Sequence, residues 1–225
     1  MKKLIFLMLI LSLFIDLNQL YAQDQGDSTK YLFSEKTVLS GFGSPFVEFS
    51  SVNKQFAVCL GGGGAMMINQ TLFLGGYFEG ILTNHYRVDL QSIVHDENPK
   101  ISFEHGGIWL GYIYEHKKAI HGGLSMKLGW GEIDLMDGEG GNPESDYNYT
   151  DRIFTIQPQA EFELNLTKWF KANLGFGYRI VTGIDATYQN DKGNMVNFYD
   201  NGDFNSPIGT ISLIFCGHDK KNSTK

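Results

Sequence analysis

Between Arg152 and Val181 (RIFTIQPQAEFELNLTKWFKANLGFGYRIV) two runs of alternating apolar and polar residues flank one short turn. In the first run Phe154, Ile156, Pro158, Ala160, Phe162 and Leu164 share a face, with Thr155, Gln157, Gln159, Glu161 and Glu163 opposite. In the second, Phe170, Ala172, Leu174, Phe176, Tyr178 and Ile180 lie opposite Lys171, Asn173, Gly175, Gly177 and Arg179. Period-two alternation predicts β-strands, because successive side chains point to opposite faces. Each run is long enough for a tilted strand to cross a bilayer, roughly 9–11 residues.

The same pattern predicts eight strands, near 39–50, 55–68, 71–82, 102–114, 119–133, 152–164, 169–181 and 207–216. The second is ambiguous enough that ten strands is the alternative count. Tight turns are expected at Ser51–Lys54, Asn69-Gln70, Glu115–Lys118 and Asn165–Lys168, and long loops at 83–101, 134–151 and 182–206. In an up-and-down meander all three long loops then fall at one end, and both chain termini at the other. Outer-membrane barrels show that asymmetry. The fold class predicted is all-β, a transmembrane antiparallel up-and-down barrel.

Alternation alone does not say which face meets lipid. Three features place the apolar face outward. The polar face is rich in glycine (Gly123, Gly129, Gly131, Gly175, Gly177), which leaves room for long neighbours in a narrow interior. Aromatics gather near the ends of the apolar face: Tyr112, Tyr114, Phe170 and Phe215 at the turn end, Trp130, Phe154 and Tyr178 at the loop end. No helix is predicted that could plug an end. The charges at lumen parity are Glu48, Glu79, Lys127, Glu161, Glu163, Lys171 and Arg179. Buried charges need partners, so they are expected to pair into a structural plug, with Lys171 near Glu161 or Glu163.

The N-terminus sharpens the picture. Lys2 and Lys3, an apolar run from Leu4 to Ile15 and a closing Leu20-Tyr21-Ala22 describe a secretory leader, 1–22. Segment 23–38 reads as a periplasmic lead-in, 39–216 as the barrel and 217–225 as a polar periplasmic tail. Removing Lys2, Lys3 and Asp16 with the leader takes the formal charge from −7 to −8, which argues against a nucleic-acid partner.

Other signals point to no catalytic, cofactor or metal residues. Gly61 to Gly64 lacks the Lys-Ser/Thr of a phosphate loop and is expected to let a barrel strand bend. Cys59 and Cys216 fall at opposite ends of the barrel, too far apart to bridge. The histidines at 85, 95, 105, 116, 121 and 218 form no H-E-x-x-H motif or Cys/His cluster. His105 and His121 share parity but should not meet. The loop carboxylates Asp134, Asp137, Glu139, Glu144, Asp146 and Asp151 could hold calcium, although their spacing is not that of an EF-hand. Asn-x-Ser/Thr triplets begin at Asn69, Asn148, Asn165 and Asn222; Asn69 and Asn165 suit tight turns.

The segments GFGSPFVEFSSVNKQFAVCLGGGGAMMINQTLFLGGYFEG and FTIQPQAEFELNLTKWFKANLGFGYRIVTGI, together with the leader, resemble a family of small, poorly characterised bacterial outer-membrane barrels, similar in architecture to the OmpA/OmpX-type eight-stranded barrels. The resemblance implies a Gram-negative outer membrane, a porin-like monomer in contact with outer-membrane lipid, and no catalytic residues. One departure is that Phe215 is followed by the polar stretch Cys216 to Lys225 instead of ending the chain.

The role expected is structural or surface-interacting, with a filled barrel that does not conduct. An extracellular ligand or protein would be met through loops 83–101, 134–151 and 182–206, where Tyr147, Tyr149, Tyr188, Phe198 and Tyr199 are candidate contact aromatics. Two alternatives are a soluble periplasmic lipid-binding barrel and an outer-membrane lipid-modifying enzyme using His105 or His121 with a serine at a rim.

Overall fold

A computed structural model describes residues 37–91, 98–136, 150–190 and 192–217. Eight long strands close into one barrel: β1 (Leu39–Val52), β2 (Gln55–Ile68), β3 (Leu72–Ile81), β4 (Lys100–Tyr114), β5 (Ile120–Met136), β6 (Thr150–Asn165), β7 (Phe170–Thr182) and β10 (Ser206–Cys216). Each pairs antiparallel with its sequence neighbour, and β1 closes on β10 with Phe42 opposite Cys216. The count is therefore eight, not ten. Two further strands, β8 (Thr187–Gln189) and β9 (Met195–Asn197), form a separate small hairpin in the last long loop.

The faces divide as the alternation predicts. Phe176 is 58% exposed and Trp130 57%, while Arg179 is 0% exposed and Glu48, Glu79 and Lys127 are buried. A soluble barrel would need the reverse, so the soluble lipid-carrier reading fails on this inversion.

Turn chemistry sets the register. Asn53 and Lys54 both have positive φ, the backbone that a two-residue hairpin loop needs to match strand twist, and Asn69 and Gln70 share it in the three-residue loop between Ile68 and Leu72. Asn69 also accepts the Val38 N–H at 3.0 Å through its side chain. We expect Asn69→Val to cost about 1–2 kcal/mol, because a β-branched residue resists the left-handed region, measured by urea unfolding of the refolded barrel. Asn165 departs from its expected role. It ends β6, and its side-chain amide donates to the carbonyls of His116 (3.1 Å) and Lys118 (2.8 Å), tying down the neighbouring turn.

The loops are shorter than the sequence suggests. β5 and β6 run on to Met136 and Thr150. Asp134 and Asp151, expected among free loop carboxylates, are therefore strand residues. Asp134 accepts from Thr150 Oγ1 at 2.5 Å, and buried Asp151 accepts the Asp185 and Ala186 N–H groups at 2.9 and 2.8 Å. The other carboxylates of that loop, with Tyr147 and Tyr149, lie outside the described residues, as do His95, His218, the leader and most of the tail.

A one-turn helix, α1 (Asn201–Phe204), also corrects the expectation of no helix. Asp200 is its N-cap, and Phe204 is fully buried in the loop-end mouth.

Candidate functional site

The interior is filled in layers. At the loop end Leu90, Ile101, Phe103, Ile133, Val181 and Phe204 form an apolar lid, completed by Phe198 and Tyr199. The last two were candidate contact aromatics. They are 3% and 4% exposed, so they seal the mouth instead of displaying a surface. Tyr188 packs against the same cluster, its ring 4.9 Å from that of Phe198.

The lid is tied down by polar contacts. Arg87 donates to the Phe198 carbonyl at 2.7 Å, lies 4.8 Å from the Tyr199 ring centroid and forks onto Asp89 at 2.7 and 2.9 Å. That hydrogen-bonded fork holds the Asp89 carboxyl below its usual range. Asn205 accepts the Val181 N–H at 2.7 Å.

Beneath the lid lies an ionic belt. Arg179 donates to Glu48 at 3.0 Å, to the Ser51 carbonyl at 2.9 Å and to the Phe204 carbonyl at 3.1 Å. Glu79 accepts from Lys127 (3.0 Å) and Gln157 (3.0 Å), and His105 Nε2 lies 2.9 Å away. The other His105 nitrogen faces the Tyr77 hydroxyl at 3.0 Å. Nearer the turn end, Glu163 is met by Lys171 at 3.0 Å and His121 at 3.3 Å, while Glu161 accepts from Ser125 and from Asn173 (3.1 Å). The seven charges at lumen parity are thus all inside, and Lys171 takes Glu163 of its two candidate partners.

The plug is only partly ionic, however. Beside the polar wall of β5–β7 stands an aromatic cluster on β1–β4: Phe42, Phe46, Phe73, Tyr77 and Trp109. Phe42, Phe73 and Trp109 meet edge to face at 5.4–5.5 Å. Lys127 bridges the two halves, its ammonium 3.7 Å from the Phe46 centroid. This explains the glycines better than bending does. A Cβ at Gly61 would sit 2.5 Å from Phe46, and one at Gly63 3.0 Å from Trp109. The space expected for long charged side chains is taken by rings.

Sequence reasoning missed these aromatics because both faces of β1 carry apolar residues, which blurs the alternation. A usable signal was there: at lumen parity, large rings on one strand (Phe46, Phe73) face glycine on the next (Gly61, Gly111).

His105 and His121 stay apart, as expected, each beside its own carboxylate. Neither is hydrogen-bonded to a serine among the described residues. Cys59 and Cys216 are both free. No group of three or more metal-ligating residues occurs among the described residues.

One loop histidine has a testable role. Val58 N–H donates to Thr83 Oγ1 (3.1 Å), Thr83 faces His85 Nε2 (2.8 Å), and His85 Nδ1 faces the Gln55 carbonyl oxygen (3.3 Å). The chain is coherent with neutral His85 donating from Nδ1 to Gln55 and accepting from Thr83 at Nε2. Burial lowers its pKa from the ordinary 6.5. The opened loop therefore takes up a proton first. Closure is at full strength above pH 6.5 and weakens as pH falls below it. Hydrogen exchange at the Val58 amide should accelerate between pH 7.5 and pH 5 beyond the intrinsic chemical change, and His85→Gln should remove that excess.

A closed eight-stranded antiparallel barrel, apolar outside and filled inside, defines the class: this is the fold of the small outer-membrane β-barrels. A solved structure agrees. Neisserial surface protein A superposes with a TM-score of 0.53 at 9% identity, covering 80% of this chain and 99% of its own. Ail, the attachment invasion locus protein of Yersinia pestis, gives 0.46 at 8% identity over 80% and 98%. A major outer membrane protein from Thermus thermophilus gives 0.44 at 8% identity over 79% and 99%. No protein-family model and no curated protein sequence matches the chain.

Proposed function

We propose that this chain is a monomeric outer-membrane protein of a Gram-negative cell, exported by the leader 1–22, with a structural or surface-contact role and no catalytic one. The barrel serves as a sealed pedestal. The observation that carries this reading is the loop-end mouth, where the last long loop folds inward on Phe198, Tyr199 and Phe204 while its hairpin, Thr187–Asn197, touches that cluster through Tyr188 and is otherwise largely exposed. Met195 and Val196 are exposed on its second strand. Rigid scaffolds that carry exposed loops place recognition in those loops. The contact element is therefore this hairpin, together with the central parts of loops 83–101 and 134–151.

Cell fractionation with heat-modifiable gel mobility tests location and closure together. The protein should be recovered in the outer-membrane fraction and migrate faster unheated than boiled. Recovery in the soluble fraction without detergent would overturn the reading. In planar bilayers the purified barrel should show no stable conductance, because the ionic belt and both apolar layers occupy the lumen. Open-channel currents would contradict the sealed pedestal. A shortened loop lacking residues 189–196, which keeps Tyr188 on the lid, should keep the heat-modifiable band and lose only surface contacts.

A further inference from the structure

The turn-end mouth opens into a concavity of about 660 Å³, within the range of sites that hold a small ligand. Its charged lining is of one sign. Lys117 comes from the β4–β5 turn, with His116 beside it, Lys168 from the β6–β7 turn and Lys171 from the start of β7. Among the described residues the lining holds no Asp or Glu. Among the described residues, the carboxylates that flank it in the β4–β5 turn and on β6 are engaged: Glu115 with Lys118 at 2.5 Å, and Glu163 with Lys171 and His121. Thr167 adds a donor. Its Oγ1 accepts the Trp169 and Phe170 N–H groups at 3.3 and 3.0 Å, which leaves its own proton to give.

The field in the mouth acts on its own histidine. Burial, then Lys117, Lys171 and His121, push the His116 pKa down from 6.5. A concave wall of one charge sign concentrates counter-ions. We propose that this vestibule binds a small polyvalent anion, a phosphate ester or a polycarboxylate, with Lys117 and Lys168 as its principal counter-charges and Lys171 and Thr167 as inner donors. In the orientation proposed above it faces the periplasm, but the site itself depends only on the fold. Lys171 keeps one donor on Glu163 and has two more for a ligand.

Cys216 lines the same vestibule and is half-buried, whereas Cys59 is fully buried in the lumen. Alkylation of Cys216 by a neutral maleimide therefore reports occupancy in the full-length, detergent-folded protein. Inorganic pyrophosphate and tricarballylate are the two probes, each compared with chloride at equal ionic strength. The expected result is slower labelling with half-effect on the order of 0.1–1 mM. In Lys117→Gln/Lys168→Gln, protection should weaken by about tenfold or more, with heat-modifiable mobility unchanged. Protection by pyrophosphate alone assigns phosphate chemistry, by tricarballylate alone carboxylate chemistry, and by both a site that reads charge. No protection by either probe at about ten times that concentration, or equal protection in the double variant, overturns the proposal. Equilibrium dialysis with labelled pyrophosphate measures the same occupancy without the thiol.

Discussion

Arg179→Met destabilises the folded barrel by about 3–5 kcal/mol, the usual consequence of removing one partner of a buried ion pair. Both Arg179 and Glu48 side chains are 0% exposed. The guanidinium satisfies Glu48, approaches Ser50 Oγ at 3.3 Å and binds the carbonyls of Ser51 and Phe204. It also lies 4.7 Å from the Phe103 centroid. Methionine matches its length but leaves Glu48 with only the Gln157 amide at 3.5 Å. It also removes one tie between α1 and the wall, the bond to the Phe204 carbonyl. The measurement is urea unfolding in lipid vesicles, followed by tryptophan fluorescence. Adding Glu48→Gln to Arg179→Met should recover part of the loss, since the cost lies in a stranded carboxylate more than in a missing attraction. A loss below about 1 kcal/mol would mean that water reaches the belt and that the lumen is not sealed.

The second large effect comes from a methyl group. At Gly131 a Cβ would overlap the Glu104 carbonyl oxygen and sit 2.6 Å from His105 Cα. Gly107, on the paired strand, would overlap the Leu128 carbonyl oxygen. Here β4 and β5 lie against each other too closely for any side chain, and the obstacle is backbone, which cannot turn aside. Gly131→Ala should cost about 3 kcal/mol, at the upper end of overpacking penalties, and sharply lower the heat-modifiable band on refolding. Gly209 is the control. It faces outward with nothing within 4 Å of an added Cβ, so Gly209→Ala should be neutral or stabilise by about 0.4–1 kcal/mol. Equal behaviour of the two variants would remove close strand approach as the reason for glycine at 131.

How far the sequence reaches can be judged from the lumen. That Lys171 meets Glu161 or Glu163 was legible, because one tight turn joins β6 to β7; the register then selects Glu163. Glu79–Lys127 was not, because the partners sit on β3 and β5, 48 residues apart and not on adjacent strands. The same holds for Arg179–Glu48. Phe198 and Tyr199 were misread for a different reason. A loop has no period, so an aromatic side chain there gives no sign of whether it turns inward or outward. The basic turn residues were visible as letters, but not that Lys117 and Lys168, from two different turns, share one cavity.

By itself, then, the sequence determined the strands, their order, the face each residue takes where only one face is apolar, and the end at which the long loops gather. These depend on period two and on short turns, both local properties of the chain. Tertiary structure decided which side chains meet across the lumen, that half of the filling is aromatic, and that the last loop closes the mouth. Those outcomes depend on the stagger with which β1 meets β10, a single global register that no local stretch of residues encodes.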